Sequence, residues 1–150
     1  MTRHRRRPRG EDGTAIVEFV WLAVLLLIPM VYVVLAVFDT QRAAYAASAA
    51  ARSAGRAFVT APTSAEAYRR AEVAARLAYD DQRLTGPVHL RIRCSPTPDA
   101  CLTPGSVVTA EVSGTAVLPL MPVVFGDHAP RLTVSAEHSS PYGTYRAARP

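Results

Sequence analysis

The distribution of apolar and polar residues divides the chain into regions of different periodicity. Residues 19–38 form a run of 20 consecutive residues without a charged side chain. At 1.5 Å of rise per residue, a helix of this length spans ~30 Å, the thickness of the hydrocarbon core of a bilayer. Pro29 lies inside the run, and membrane helices tolerate proline. The pattern therefore predicts a transmembrane helix, which we place at residues 14–38.

An alanine-rich segment with helical spacing follows directly. Its alanines recur at intervals of four and three residues: Ala43, Ala47, Ala50, Ala54 and Ala57. A second row has heptad spacing: Arg42, Tyr45, Ala49, Arg52 and Arg56. Alanine is the best helix former and no breaker follows residue 38, so one helix is predicted from about Thr14 to Phe58. The alanine row either packs on its own domain or packs against other subunits, and both interpretations remain open.

A second helix is predicted after Pro62. Thr63 and Glu66 have the spacing of a capping box, and Gly86-Pro87 ends the helical region beyond about Arg83. One apolar face is expected, formed by Tyr68, Ala71, Ala75 and Tyr79.

Beyond residue 87 the apolar residues alternate with polar ones, which is typical of half-buried strands. The three alternating stretches are residues 88–94, 108–113 and 132–137. Residues 118–130 are apolar but contain prolines, so they predict a loop that packs on the domain or contacts a membrane. The predicted fold class is α+β, with a long N-terminal helix, a second helix and a small antiparallel sheet. The proposed division is a leader at 1–13, a transmembrane helix at 14–38, a helical region at 39–86, a sheet region at 87–138 and a flexible tail at 139–150.

The charge of the chain is concentrated at its N-terminus. Of a net charge of +5, residues 1–13 contribute +3, from five arginines and two acidic residues. Before an apolar run, such a segment is better explained as an orientation signal than as a nucleic-acid-binding tail. We therefore expect residues 1–13 in the cytoplasm and residues 39–150 outside, in a single-pass cell-membrane protein. A cleaved secretory signal is the alternative, with A-x-A triplets such as residues 47–49, although its apolar region is usually only ~7–15 residues long.

The two cysteines, Cys94 and Cys101, flank a turn-rich SPTPDA segment. An extracytoplasmic location permits disulfides, and a C-x6-C spacing alone is weak support for a metal site. We predict a disulfide between these two residues.

Catalytic motifs are not found in the sequence. His89, His128 and His138 are scattered, and Asp127 stands beside His128 without an identifiable nucleophile. Asp80-Asp81 is a possible cation ligand pair, but such pairs are more often simply solvated. We expect neither enzymatic activity nor a cofactor or metal.

Glu18 stands at the start of the apolar run. A carboxylate at mid-bilayer costs ~2.5–3.5 kcal/mol, and less near the boundary, where it reaches the interface. Glu18 is therefore either a tolerated boundary acid or the partner of a positive charge. Cleavage after Gly13 would supply that charge, because the new amine of Thr14 lies four residues earlier on the same helix face.

A basic leader, Gly13, four residues, Glu18 and an apolar helix resemble the processing site of type IV pilin-like proteins. The stretch GTAIVEF and the helix AAYAASAAARSAGRA are similar more narrowly to the TadE-like family of pseudopilins. The resemblance implies that Gly13 precedes the cut, that Thr14 becomes the N-terminus and that Glu18 sets subunit register. Phe19 departs from the glutamate-tyrosine pair of the major pilins.

The resemblance implies a pilin-like fold and a function. A minor pseudopilin of this family takes part in the assembly of Tad/Flp-type pili and is processed by prepilin peptidase. Its expected partners are the membrane, other pilin-like subunits and the assembly platform. The alternative is a signal-anchored extracytoplasmic binding module or enzyme unrelated to pili.

Overall fold

A computed structural model describes residues 12–117 and 131–150 of the 150-residue chain. Within these residues it contains two helices and three strands: α1 (Asp12–Thr60), α2 (Ser64–Asp81), β1 (Val88–Ser95), β2 (Val107–Val117) and β3 (Arg131–Pro141). The predicted α+β class is confirmed. The predicted loop at 118–130 and nearly all of the predicted leader lie outside the described residues.

The chain forms two compact units, and the boundary between them falls inside α1, after Ala36. In the first unit every side chain from Thr14 to Val31 is exposed. This part of α1 is long and apolar enough to cross a membrane, and no residue of its most apolar stretch is buried. A core helix of a water-soluble domain would bury such side chains. By length and composition, this exposed apolar helix is compatible with a membrane anchor and equally with a signal sequence.

The second unit contains an antiparallel sheet with the strand order β1-β2-β3. Arg91 of β1 lies opposite Glu111 of β2, which lies opposite Glu137 of β3. Because side chains alternate between faces, this register places the predicted apolar residues of all three strands on one face. The three predicted strands are confirmed, and all are longer than the alternating stretches.

The core of the second unit is built largely from alanine. Its buried residues from α1 are Ala43, Ala46, Ala47, Ala50, Ala51, Ala54, Phe58 and Val59. All of them except Ala43 join three alanines of α2 and the apolar face of β2 in one cluster. Small side chains permit close approach: a Cβ added at Gly55 would lie 2.7 Å from the Ser140 Oγ in β3. The alanine row therefore packs on its own domain, the first of the two interpretations left open by the sequence.

Helix α2 begins with half of the predicted capping box. The Thr63 hydroxyl accepts a hydrogen bond from the Glu66 backbone N–H at 3.3 Å. The Glu66 carboxylate accepts hydrogen bonds from Arg69 and Arg70 instead of returning to the cap. The helix ends at Asp81, slightly before the predicted end, and Arg83 has a φ of 57°, in the left-handed region that often follows a helix.

The C-terminal segment differs from the flexible tail predicted for residues 139–150. Ser139 and Ser140 belong to β3, and the Tyr142 ring is fully buried. The Tyr142 backbone N–H donates to the Ser106 carbonyl at 2.8 Å, and its hydroxyl donates to the Ala147 carbonyl at 2.7 Å. Burial of one aromatic ring thus tethers a segment whose polar sequence indicated mobility.

Two arginines attach the same segment to the end of α1. The Arg146 guanidinium donates to the Val59 carbonyl at 2.9 Å, and that of Arg149 donates to the Ala61 carbonyl at 2.6 Å. The last carbonyls of a helix lack intrahelical partners and form the negative end of its dipole. These arginines therefore cap α1, which has no basic residue in its own last turn.

Candidate functional site

The predicted processing residues lie in the first turns of α1. The structure describes α1 from Asp12 onward, so the bond between Gly13 and Thr14 lies within the described part of this helix. Glycine is less favourable than alanine in a helix by about 0.5–1 kcal/mol.

Glu18 and Phe19 are both exposed on α1, and Phe19 is 72% exposed. Within the described residues Glu18 has no salt-bridge or hydrogen-bond partner for its side chain. Thr14 precedes it by four residues, which places both on the same face of the helix. The carboxylate is therefore available to a cation supplied either at Thr14 or by another molecule.

Cys94 and Cys101 form a disulfide, with their Cα atoms 5.2 Å apart. The bond joins the end of β1 to the segment that precedes β2. Cys101 is buried beside Leu102, which belongs to the core cluster. This placement gives the disulfide a structural task, because it fixes the connection between two strands to the core.

The histidines and acids considered in the sequence do not come together. His89 and His138 lie on the outer strands β1 and β3, and His128 is outside the described residues. Asp80 pairs with Arg76 at 3.3 Å on α2, which satisfies one half of the Asp80-Asp81 pair. Among residues 12–117 and 131–150, no group of three potential metal ligands occurs.

The outer face of the sheet is polar and unevenly paired. Arg93 reaches both Glu111, at 3.4 Å, and Glu137, at 3.0 Å. Arg91 lies opposite Glu111 in the register but forms no salt bridge within the described residues. Because Arg93 binds both acids, Arg91 remains a free cation on strand β1.

A groove that was not predicted from the sequence runs between α2 and the edge strand β1. It is open to solvent and has a volume of about 1000 Å³. Its lining combines apolar residues, among them Val73, Leu77, Val88 and Leu90, with six charged residues of α2. Val73 is 68% exposed and Leu77 is 59% exposed, although both are large apolar residues. Val73 and Leu77 are four residues apart and lie on the face of α2 opposite to its predicted apolar face. This spacing could have predicted a second apolar surface on the helix.

The heptad-spaced row of α1 that was predicted from the sequence faces solvent. Arg42, Arg52 and Arg56 are exposed, and Tyr45 is 70% exposed. Arg42 approaches Asp39 at 3.7 Å, and Arg52 donates to the Ser48 hydroxyl. The row predicted with heptad spacing is thus a basic surface, separate from the alanine row that faces the core.

The chain was compared with protein-family models, with curated proteins and with solved structures, and it matches none of them. The strongest arrangement is the pair Gly13 and Glu18 at the start of an exposed apolar helix. That helix continues into the core of a folded domain.

Proposed function

We propose that this chain is a membrane-anchored, TadE-like minor pseudopilin that participates in the assembly of Tad/Flp-type pili. One observation carries the proposal: Gly13 and Glu18 stand at the start of a single helix, α1, that is apolar and exposed first and alanine-rich and buried later. In this proposal prepilin peptidase cuts after Gly13, and Thr14 becomes the N-terminus. The domain beyond the membrane lies outside the cell, where its disulfide is stable.

The electrostatics of the proposed mature N-terminus support a role for Glu18. Four residues of helix separate its Cα from that of Thr14 by ~6 Å along the axis. Two opposite charges at this separation attract by about 3 kcal/mol at an effective dielectric constant of about 20. This matches the ~2.5–3.5 kcal/mol that a carboxylate costs at mid-bilayer, and the cost is lower near the boundary, where Glu18 stands. An amine at Thr14, or at the same position of a neighbouring subunit, would thus offset the cost of Glu18.

The core argues against a conventionally cleaved secretory signal. Cleavage at the small-residue triplet 47–49 would remove Ala43, Ala46 and Ala47, whose exposed fractions are 2%, 0% and 0%. The sheet and α2 would then lose part of the helix against which they pack. Retention of α1 preserves this core, and a cut after Gly13 removes nothing from it.

The decisive experiment is to determine the N-terminus of the membrane-extracted full chain, by N-terminal sequencing and intact mass, from cells that express prepilin peptidase. We expect a chain that starts at Thr14, and we expect Gly13→Ala to prevent the cut. Gly10→Ala is the matched control, since it changes another leader glycine and should leave cleavage intact. A chain that still starts at Met1, or that starts beyond residue 49, overturns the proposal.

A second test separates a pseudopilin from a merely tethered module. Glu18→Gln keeps the size of the side chain and removes its charge, and Glu11→Gln is the control within the leader. We expect Glu18→Gln to abolish pilus assembly while the protein is still inserted in the membrane. Normal assembly with Glu18→Gln would favour the signal-anchored binding module or enzyme, for which the helix acts only as a tether.

A further inference from the structure

The sheet has two open edges on opposite sides. Among the described residues β1 and β3 each pair only with β2. An edge strand presents unpaired backbone N–H and C=O groups, and these are a template for pairing with another chain. Both edges therefore have hydrogen-bonding capacity that the described part of the chain does not use.

The side chains of the two edges are complementary. On the outer face β1 presents the unpaired Arg91, and β3 presents Glu137, which pairs with Arg93 of its own chain but is still 54% exposed at its side chain. On the inner face β1 presents the half-buried Val88 and Leu90, and β3 presents Val134 and Ala136 in the same alternation. A β3 strand from another copy would thus match the edge of β1 in charge on one face and in apolarity on the other.

From this complementarity we infer that β1 of one copy pairs with β3 of a second copy, in parallel. The direction follows from the topology: β1 and β3 are both antiparallel to β2, so they run the same way. A second copy with the same face inward then adds as a parallel neighbour. Placing Arg91 beside Glu137 of that copy puts Leu90 beside Ala136 and Val88 beside Val134. The inference rests on the proposed assembly function for its biological setting.

The groove next to β1 supports the same edge. Val73 and Leu77 of α2 leave apolar surface exposed beside Val88 and Leu90. An added β3 would bring Leu132, which is 39% exposed in its own chain, and Val134 to this side of the sheet. Burial of apolar area stabilises association by roughly 25 cal/mol per Å². Burial of the apolar part of the groove would thus add to the free energy of association that the backbone hydrogen bonds and the single ion pair provide.

The symmetry of the contact determines how many copies it can join. A contact between two different edges is head-to-tail, and it repeats along the assembly unless the rotation closes a ring. A contact of β1 with β1 would instead bring the arginines of both copies together, which is unfavourable. The two arrangements differ in what they form, since the first gives chains of many copies and the second gives only dimers.

The test is cysteine cross-linking of the full chain in membranes. In the inferred register residue 89 lies beside residue 135 of the next copy, so His89→Cys and Ser135→Cys are combined in one chain. Within one copy β2 separates these positions by ~10 Å, beyond the ~7 Å limit for a disulfide. We expect mild oxidation to give a ladder of dimers, trimers and larger oligomers that reduction abolishes. Each single substitution should give monomers.

Two outcomes overturn the inference. The first is that the double variant, shown by circular dichroism to be folded, stays monomeric on oxidation. In that case the charge of Arg91 serves only to prevent the edge strand from pairing with another chain. The second is that one of the single variants gives dimers, which indicates a like-with-like edge contact. Neither result bears on cleavage after Gly13, so the proposed function is tested separately.

Charge reversal in the cross-linking background tests the ion pair. Arg91→Glu should abolish the ladder, because it places two carboxylates side by side. Adding Glu137→Arg to the same chain should restore the ladder with the charges exchanged. Arg83→Glu is the control, since Arg83 is exposed and lies on neither edge. A ladder that survives Arg91→Glu, or that the exchange does not restore, contradicts the inferred register.

Discussion

Tyr79 of α2 lies directly over Gly114 of β2, and this contact determines how closely the helix approaches the sheet. Tyr79 is only 2% exposed. A Cβ added at Gly114 would lie 2.6 Å from its Cε1 atom, 2.8 Å from its hydroxyl oxygen and 2.9 Å from its Cζ atom. Three atoms of the rigid Tyr79 side chain thus lie too close to Gly114 to leave space for a Cβ atom at this position. Gly114→Ala must therefore displace the ring or the helix.

The expected cost of Gly114→Ala combines two opposing effects. Adding a methyl group to a packed core destabilises by about 1–3 kcal/mol. Replacing glycine inside a strand recovers about 0.5–1 kcal/mol, because alanine loses less backbone entropy on folding. Because three contacts lie under 3.0 Å, the packing cost should fall in the upper part of its range, about 2–3 kcal/mol, and the net loss should be about 1–2.5 kcal/mol. This lowers the midpoint of thermal unfolding by several degrees, at ~2–4 °C per kcal/mol for a chain of this size.

Urea unfolding of the full chain in detergent, followed by far-ultraviolet circular dichroism, measures this loss. The single tryptophan, Trp21, lies in the first unit and would not report on the sheet. Gly143→Ala is the matched control, since its Cβ would lie 3.5 Å from Arg146 side-chain carbons, an ordinary contact. We expect Gly143→Ala to be nearly neutral.

A second background identifies the cause of the loss. In Tyr79→Leu the ring is absent, so Gly114→Ala should become neutral or slightly stabilising there. The difference between the two backgrounds is the coupling free energy of the contact. Equal losses in both backgrounds would show that the Tyr79 ring is not responsible. A Gly114→Ala protein as stable as Gly143→Ala would refute the close contact itself.

Three further predictions concern other contacts of the second unit. Reduction of the Cys94–Cys101 disulfide, which closes a sequence separation of 7, should lower the free energy of unfolding by about 2.5 kcal/mol, as measured by urea unfolding with and without reductant. Tyr142→Phe removes a hydrogen bond to a backbone carbonyl and should cost about 0.5–1.5 kcal/mol in the same assay. Hydrogen bonds from Arg70 and then Arg69 lower the pKa of Glu66 below 4.5. The stability from this carboxylate is present above pH 4.5 and lost as the pH falls through the lower folded pKa. In thermal melts at decreasing pH, Glu66→Gln should lack this loss of stability on the acid side. If Glu66→Gln and the unsubstituted chain lose the same stability as the pH falls, the prediction is wrong.

The helices and strands could be predicted because each has a local periodic signal. The uninterrupted apolar run and the alanine spacing indicated one helix from about Thr14 to Phe58, and the structure has Asp12–Thr60. Strict alternation indicated β1, β2 and β3 without any knowledge of their pairing. A periodic pattern reports which face of an element is apolar, and that was sufficient for the fold class.

Contacts between residues distant in sequence were not predictable in this way. Tyr142 stands in a polar segment, and its burial depends on a space that exists only after the sheet and α1 have packed. The bond from Arg146 to the Val59 carbonyl joins residues 87 positions apart. The exposure of Val73 and Leu77 likewise depends on where β1 ends the sheet. In all these cases the deciding interaction is tertiary, and no local pattern contains it.

The alanine row of α1 shows how such a tertiary interaction changes a functional hypothesis. From spacing alone, the row was equally suited to its own domain and to other subunits. In the structure Ala47, Ala50 and Ala54 are fully buried beneath α2 and the sheet, so they are unavailable to a partner. Alanine buries little apolar area per residue, and the disulfide and the arginine caps add further restraints to this core. Among the described residues, the surfaces still open to the proposed contact between subunits include the exposed apolar part of α1, its basic row and the edges of the sheet.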